Sequence, residues 1–167
     1  MQEQLKHNIA QATATLWILD CATTIKPLYG KQDGAVISYN PHKPGRPSHA
    51  IHTYWIGNLR LVLDAQLEPG NRHSPVHARA GLLALLEGMP RHQRPKQVRG
   101  DCAFDSEMSA LEAIGQPYLF KLRQSAGVKK LVQRQWTRRD WVSVGQGWDA
   151  CEDVLRLMGW TGRGASS

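Results

Sequence analysis

Two aspartates stand at the ends of apolar, strand-like runs in a strongly basic chain. Asp20 closes Leu16-Trp17-Ile18-Leu19-Asp20, and Asp101 sits in Gln97-Val98-Arg99-Gly100-Asp101-Cys102-Ala103-Phe104. A carboxylate at the end of a buried strand is costly to desolvate unless something pairs with it. Two such groups on neighbouring strands can share a hard divalent cation, since Mg²⁺ takes oxygen ligands. Basic residues around that metal would suit a phosphodiester. A simpler reading competes: aspartate is common after strands, where it caps turns and helices.

The rest of the composition narrows the setting. The chain has 167 residues, enough for one domain with a real core. Lys and Arg number 21 against 14 Asp and Glu, a net charge of +7 that favours polyanionic partners. No apolar run approaches the length of a membrane span, and Met1 to His7 lacks a signal peptide's apolar centre. The three cysteines, Cys21, Cys102 and Cys151, have no CxxC spacing and predict no disulfide framework. The expected compartment is the cytoplasm, without a membrane partner.

Those aspartates must be positioned by strands. Residues 1–13 read as a polar arm. Thr15 to Thr24 predicts a strand buried on both faces, because its centre is wholly apolar. Ala35 to Tyr39 is a short extended piece, and Asn40 to Pro47, with three prolines and a glycine, is a loop. Strands follow at Ile51 to Ile56 and Leu59 to Leu67, the second presenting Leu59, Leu61, Leu63 and Ala65 by alternation. Val76 to Glu87 predicts a helix with Ala80, Leu82, Leu83, Leu85 and Leu86 on a broad apolar face. A strand at Gln97 to Cys102 carries Asp101. Ser106 is the expected N-cap of a helix through Ile114, which puts Glu107 in its first turn. Tyr118 to Leu122 reads as a strand and Ala126 to Arg134 as a basic helix. Beyond Trp136 come short aromatic strands at Trp141 to Val144 and Val154 to Met158, then a small, polar tail over 161–167. Early strands close enough for hairpins, then strand–helix alternation, predict an α/β fold with a mixed sheet.

Three stretches carry a specific resemblance. They are Leu19-Asp20-Cys21-Ala22-Thr23-Thr24-Ile25-Lys26-Pro27-Leu28-Tyr29-Gly30, then Gly34 to Ser48 (GAVISYNPHKPGRPS), and Arg99-Gly100-Asp101-Cys102-Ala103-Phe104. They resemble the patterns LDxDxTVKxLYG, GYNPxKxGRPSH and RGDxxF of DDE-type transposases from bacterial insertion sequences. The resemblance implies a ribonuclease-H-like fold: a mixed five-stranded sheet flanked by helices, first strand central and paired with the fourth. It implies a catalytic core over 14–135, the start of a β-rich insertion over 136–160, and DNA transposition by cleavage and strand transfer on transposon ends and target DNA. The implied cofactor is Mg²⁺ or Mn²⁺, and the implied assembly of the intact family is a homodimer.

Carried over by residue, Asp101 matches the second catalytic carboxylate, and Asp20 with Asp101 forms the expected catalytic and metal-binding pair. The family's first strand usually bears two aspartates one residue apart. Here the second of those places is Ala22. Asp20 faces the same side as position 22 but lies one pleat repeat away, roughly 6.5–7 Å. The family's third carboxylate, a glutamate beyond the insertion, has no counterpart among these residues. The expectation is therefore a fragment, cut by a frameshift or early stop, with little activity alone. The alternative is a non-catalytic DNA-binding remnant.

The expected DNA contacts are Lys43 and Arg46 in the proline-rich loop, and Lys121, Arg123, Lys129 and Lys130 further on, near Trp136 and Trp141. A solvated helix face with core tryptophans would look the same. His49 and His52 should point to opposite faces of their strand, which is poor for chelation. No phosphate-cradling glycine motif is present, so no nucleotide cofactor is expected.

Overall fold

The computed structural model describes residues 16–40, 43–72, 75–138 and 140–155. The described residues form two compact units, divided between Lys121 and Leu122. In the first, strand β1 (Ile18–Pro27) is the centre of a mixed sheet with β2 (Val36–Ile37), β3 (Pro47–Ile56), β4 (Leu61–Pro69), β5 (Gln97–Gly100) and β6 (Tyr118–Phe120). One edge of β1 takes β3, antiparallel from Leu19↔Ile56 to Pro27↔Ser48. The other takes β5, parallel from Ile18↔Gln97 to Asp20↔Arg99. Beyond β5 lies β6, also parallel. The far edge of β3 is shared by β4 and, at Pro47 and Ser48, by β2. The strands thus number six, because the two-residue β2 joins a sheet otherwise made of five.

Helix α1 (Pro75–Glu87) begins on a proline, whose missing N–H costs nothing in a first turn. Its buried row is Ala78, Leu82 and Leu86, spaced four apart. Ala80, expected on that face, is exposed. Leu19, Cys21, Ala50, Tyr54, Ile56 and Val98 on the strands are buried as well. The Tyr54 hydroxyl donates to the Ala78 carbonyl at 2.8 Å, which ties the helix to the sheet. Gly81 permits close approach, since a Cβ there would meet the Gln66 amide at 2.2 Å.

Three expectations change at this level. Strand β1 alternates rather than being buried on both faces: Leu19 and Cys21 are buried, while Ala22 and Thr24 are exposed. The face that carries Asp20, Ala22 and Thr24 is the more open one. In β4, a register shift at Tyr54/Trp55 turns Ala65 and Leu67 outward, onto that open face. The helix start expected at Ser106 is instead a 3₁₀ segment, Cys102–Glu107, and α2 (Met108–Ala113) has Glu107 at its N-cap position with no side-chain cap. Glu107 is not a solvated first-turn acid. It is 1% exposed and faces Arg79 at 3.5 Å.

The second unit consists of α3 (Ala126–Thr137) and the hairpin β7 (Val142–Gly145) with β8 (Trp148–Ala150). Ser125 caps α3 by accepting from the Val128 N–H. Arg134 and Gln135 both donate to Asp153, and the Arg134 bond, then the Val154 N–H, hold its carboxyl below the usual range. Of the strand expected at Val154 to Met158, residues 154 and 155 are irregular and the rest lies outside the described residues. Among the described residues no helix is long and apolar enough to cross a membrane.

Burial also sets a chemical property of β1. It pushes the Cys21 thiol up to about 12, with the neighbouring Asp20 charge adding to the shift. Tyr54 is raised as well, chiefly by burial. A raised acid binds its proton more tightly when folded. Its stabilising contribution is therefore complete below the usual value of 9.0 and is lost as pH rises towards about 12. Dithionitrobenzoate at pH 8, followed by peptide mapping, is expected to leave Cys21 unmodified in the native chain and to label it after unfolding. Urea midpoints are expected to fall above pH 9.

Candidate active site

The parallel pairing of β1 with β5 brings the two aspartate-bearing strands side by side. Side chains alternate, so Leu19 and Val98 point into the core while Asp20 and Arg99 share the open face. Two residues further along are Ala22 on β1 and Asp101 just past β5, both exposed. The open face continues across β3 and β4 through Thr53, Trp55, Ala65 and Leu67.

Asp20 is engaged. Arg99 Nε donates to Oδ1 at 2.6 Å and Nη2 to Oδ2 at 2.7 Å, a two-bond fork that matches a carboxylate. Hydrogen bonding to Asp20 raises the Arg99 pKa above its usual value. The pair is about one-third to one-half open to solvent, so it is worth no more than about 1 kcal/mol to stability. Its effect is on geometry. A cation approaching Asp20 meets a guanidinium already on both oxygens. Gly57, in the turn after β3, makes room for this arrangement: a Cβ there would lie 2.3 Å from Asp20 Oδ2 and 3.2 Å from Arg99 Nη2.

Asp101 is placed by different means. Its carbonyl accepts from the Phe104 N–H at 3.2 Å, closing the first turn of the 3₁₀ segment. Phe104 is buried against Gly100, where a Cβ would come within 3.0 Å of the ring, and against Phe120 at 5.9 Å between centroids. The Arg-Gly-Asp order therefore has a local cause. Arg99 faces out, Gly100 admits the phenylalanine, and Asp101 emerges at the strand end.

The expected basic contacts divide between the two units. Lys43 and Arg46 share one turn, closed by the Arg46 N–H to Lys43 carbonyl bond at 3.2 Å. Lys121 ends the first unit, whereas Arg123, Lys129 and Lys130 belong to the second; all are exposed. Trp136, expected as a stacking group, is 79% exposed and meets Trp141 edge to face at 6.2 Å. His49 and His52 do lie on opposite faces. His52 is buried between Thr23 Oγ1 at 2.9 Å and the Arg72 carbonyl at 3.0 Å, an acceptor that puts its proton on Nε2. Among the described residues no three His, Cys, Asp or Glu side chains come together to hold a metal.

Sequence reasoning missed two partners, Arg99 for Asp20 and Gly57 beneath it. The first had a signal: Arg99 precedes Asp101 by two, as Asp20 precedes position 22, so parallel pairing in register must place them together.

No protein-family model matches the chain, and no curated protein matches it. Among solved structures it is similar to the Mos1 transposase paired-end complex with left transposon end, at 12% identity over 80% of this chain and 52% of that one, with a TM-score of 0.39. The mariner Mos1 paired end complex with Mg matches at 13% identity over 83% and 54%, TM-score 0.38. The Mos1 strand transfer complex matches at 10% over 80% and 46%, TM-score 0.37. The chain spans about half the length of these proteins.

Proposed function

We propose that this chain is a transposase catalytic domain of the DDE type, built on a ribonuclease-H-like sheet and acting on DNA, in which the metal chemistry is impaired. The observation that supports this most is the parallel pairing of β1 with β5. It pairs Asp20 with Arg99, two residues before Asp101, which supports the arrangement that the sequence resemblance implies. The residues at that face do not fit a pair of divalent ions. Asp20 has both oxygens on Arg99, and Ala22 supplies no ligand beside Asp101. Magnesium and manganese are the ions the family pattern implies.

The second reading, a DNA-binding domain without catalysis, is favoured by the same Arg99 fork, which supplies internally the positive charge that a metal would bring. Either reading predicts binding to duplex DNA that weakens steeply with salt, since the basic surface displaces counterions from phosphates. Fluorescence anisotropy and plasmid nicking test both. The expected result is salt-dependent binding, no nicking above background with Mg²⁺ or Mn²⁺, and no change in binding for Asp101→Ala. Strong Mg²⁺-dependent nicking abolished by Asp101→Ala would establish an intact active site. Absence of binding even at low salt would overturn both readings.

A further inference from the structure

At the far end of β1 from Asp20, the chain holds an exposed aromatic ring under a cation. The antiparallel ladder of β1 and β3 ends at Pro27↔Ser48 and is continued by the Leu28 N–H to Pro47 carbonyl bond at 2.9 Å. The next pair in that register is Tyr29 with Arg46, and the Arg46 guanidinium carbon lies 4.4 Å from the centre of the Tyr29 ring. Tyr29 is 70% exposed. Two features flank Arg46 on the described side of its loop. Asn40, buried, accepts from the Lys43 N–H at 3.1 Å, and Gly45 takes a left-handed φ of 78°.

The charge around this ring is one-sided. Between residues 26 and 49 stand Lys26, Lys31, Lys43 and Arg46, all exposed, against one carboxylate, Asp33. A second ring, Tyr39, is 64% exposed in the segment after β2, on the opposite edge of β3. Exposed rings interleaved with cations are a poor match for a protein core and a good match for nucleic acid.

We propose that Tyr29 is a stacking platform for an unpaired DNA base, with Arg46 and the neighbouring lysines holding the flanking phosphates. This rests on the DNA-binding reading above and deepens it. A base inside a duplex is stacked on both sides and cannot accept a tyrosine ring, so the open ring favours single-stranded or frayed DNA. Arg46 orients the ring from one side through the cation–π contact and keeps its charge within reach of the backbone of a stacked base. An acidic peptide would satisfy the cations but offers no flat surface to the ring. Tyr29 lies about seven residues beyond the level of Asp101, about 23 Å along an extended strand. A DNA strand rises that far in about seven nucleotides. The unpaired stretch would therefore sit several nucleotides from the phosphodiester nearest Asp101.

The test uses the full chain with a labelled oligo-dT strand and a blunt duplex of equal length. Tyr29→Leu is expected to weaken oligo-dT binding by about tenfold, while duplex affinity changes by less than about twofold. Tyr29→Phe should restore oligo-dT binding, because the ring and not the hydroxyl stacks. Arg46→Ala should weaken both probes and lower the salt dependence by about one counterion. An unchanged oligo-dT affinity in Tyr29→Leu, or an equal loss on both probes, overturns the proposal while leaving DNA binding in place. Displacement of oligo-dT by polyglutamate at matched charge would assign the patch to acidic peptides and overturn it as well. If neither DNA binds the unaltered chain, the DNA-binding reading itself fails. The exposure of Tyr29 makes misfolding of these variants an unconvincing escape, and circular dichroism checks it directly.

Discussion

Replacing Ala22 by aspartate is expected to create Mg²⁺-dependent stability that the native chain lacks. Ala22 is exposed, on the face shared by Asp20 and Arg99, and two residues past the last β1–β5 pair, as Asp101 is. Neighbouring strands lie about 4.8 Å apart, so carboxylates at the two places can reach one cation at bond lengths of about 2.0–2.1 Å. Without metal the variant places like charges together and should be slightly less stable than the parent. With Mg²⁺ at about a hundred times its dissociation constant, binding to the folded state alone adds about 2.7 kcal/mol. In a chain of this size that raises the melting temperature by about 5–11 °C. Thermal unfolding in Mg²⁺ and in EDTA measures it, and the native chain should differ by much less between the two. A variant that melts at the same temperature in both would mean that positions 22 and 101 do not converge. The adjacency of the acids would then have to be given up as the basis for the functional reading.

The elements with a strong local period were legible. The helix expected at Val76 to Glu87 is found at Pro75–Glu87, and the strand expected over Gln97 to Cys102 begins at Gln97 but ends at Gly100, just before Asp101. What the sequence could not show is which face of a strand meets a helix. In β4 the apolar alternation is real, but the register shift at Tyr54/Trp55 sends Ala65 and Leu67 to the open face and leaves Gln66 against Gly81. That choice belongs to the pairing partner, not to β4. Strand β3 starts at Pro47 rather than Ile51 because a first strand residue needs no N–H when its carbonyl already serves Leu28. The position of Glu107 is set in a similar way. Its burial beside Arg79 follows from α1 packing over the 3₁₀ segment, a contact between residues far apart in the chain. At the candidate site the acids were visible as residue types, whereas the Arg99 fork on Asp20 required the register of two strands nearly eighty residues apart.

That long-range register has its own anchor, and removing it is expected to be the most destabilising single change. Trp17 precedes β1 and is 1% exposed. Its indole Nε1 donates to the Gln93 carbonyl at 2.9 Å, and its own carbonyl accepts from the Lys96 N–H at 2.9 Å. Both bonds go to the segment that enters β5. A parallel pair has no hairpin to set its register, so β1 and β5 depend on such contacts at the point where they meet. Trp17→Ala removes a large buried ring and leaves the Gln93 carbonyl without its indole donor, at a cost of about 3–5 kcal/mol. Against a typical total stability of about 5–15 kcal/mol, that would leave a marginal fold. Trp17→Phe keeps most of the apolar volume and loses the hydrogen bond, so about 1 kcal/mol is expected from that term. Urea unfolding of the two variants separates packing from hydrogen bonding. Similar losses in both would assign the anchoring to the indole N–H. A loss confined to Trp17→Ala would assign it to the buried ring, whose packing then holds Asp20 in register with Arg99.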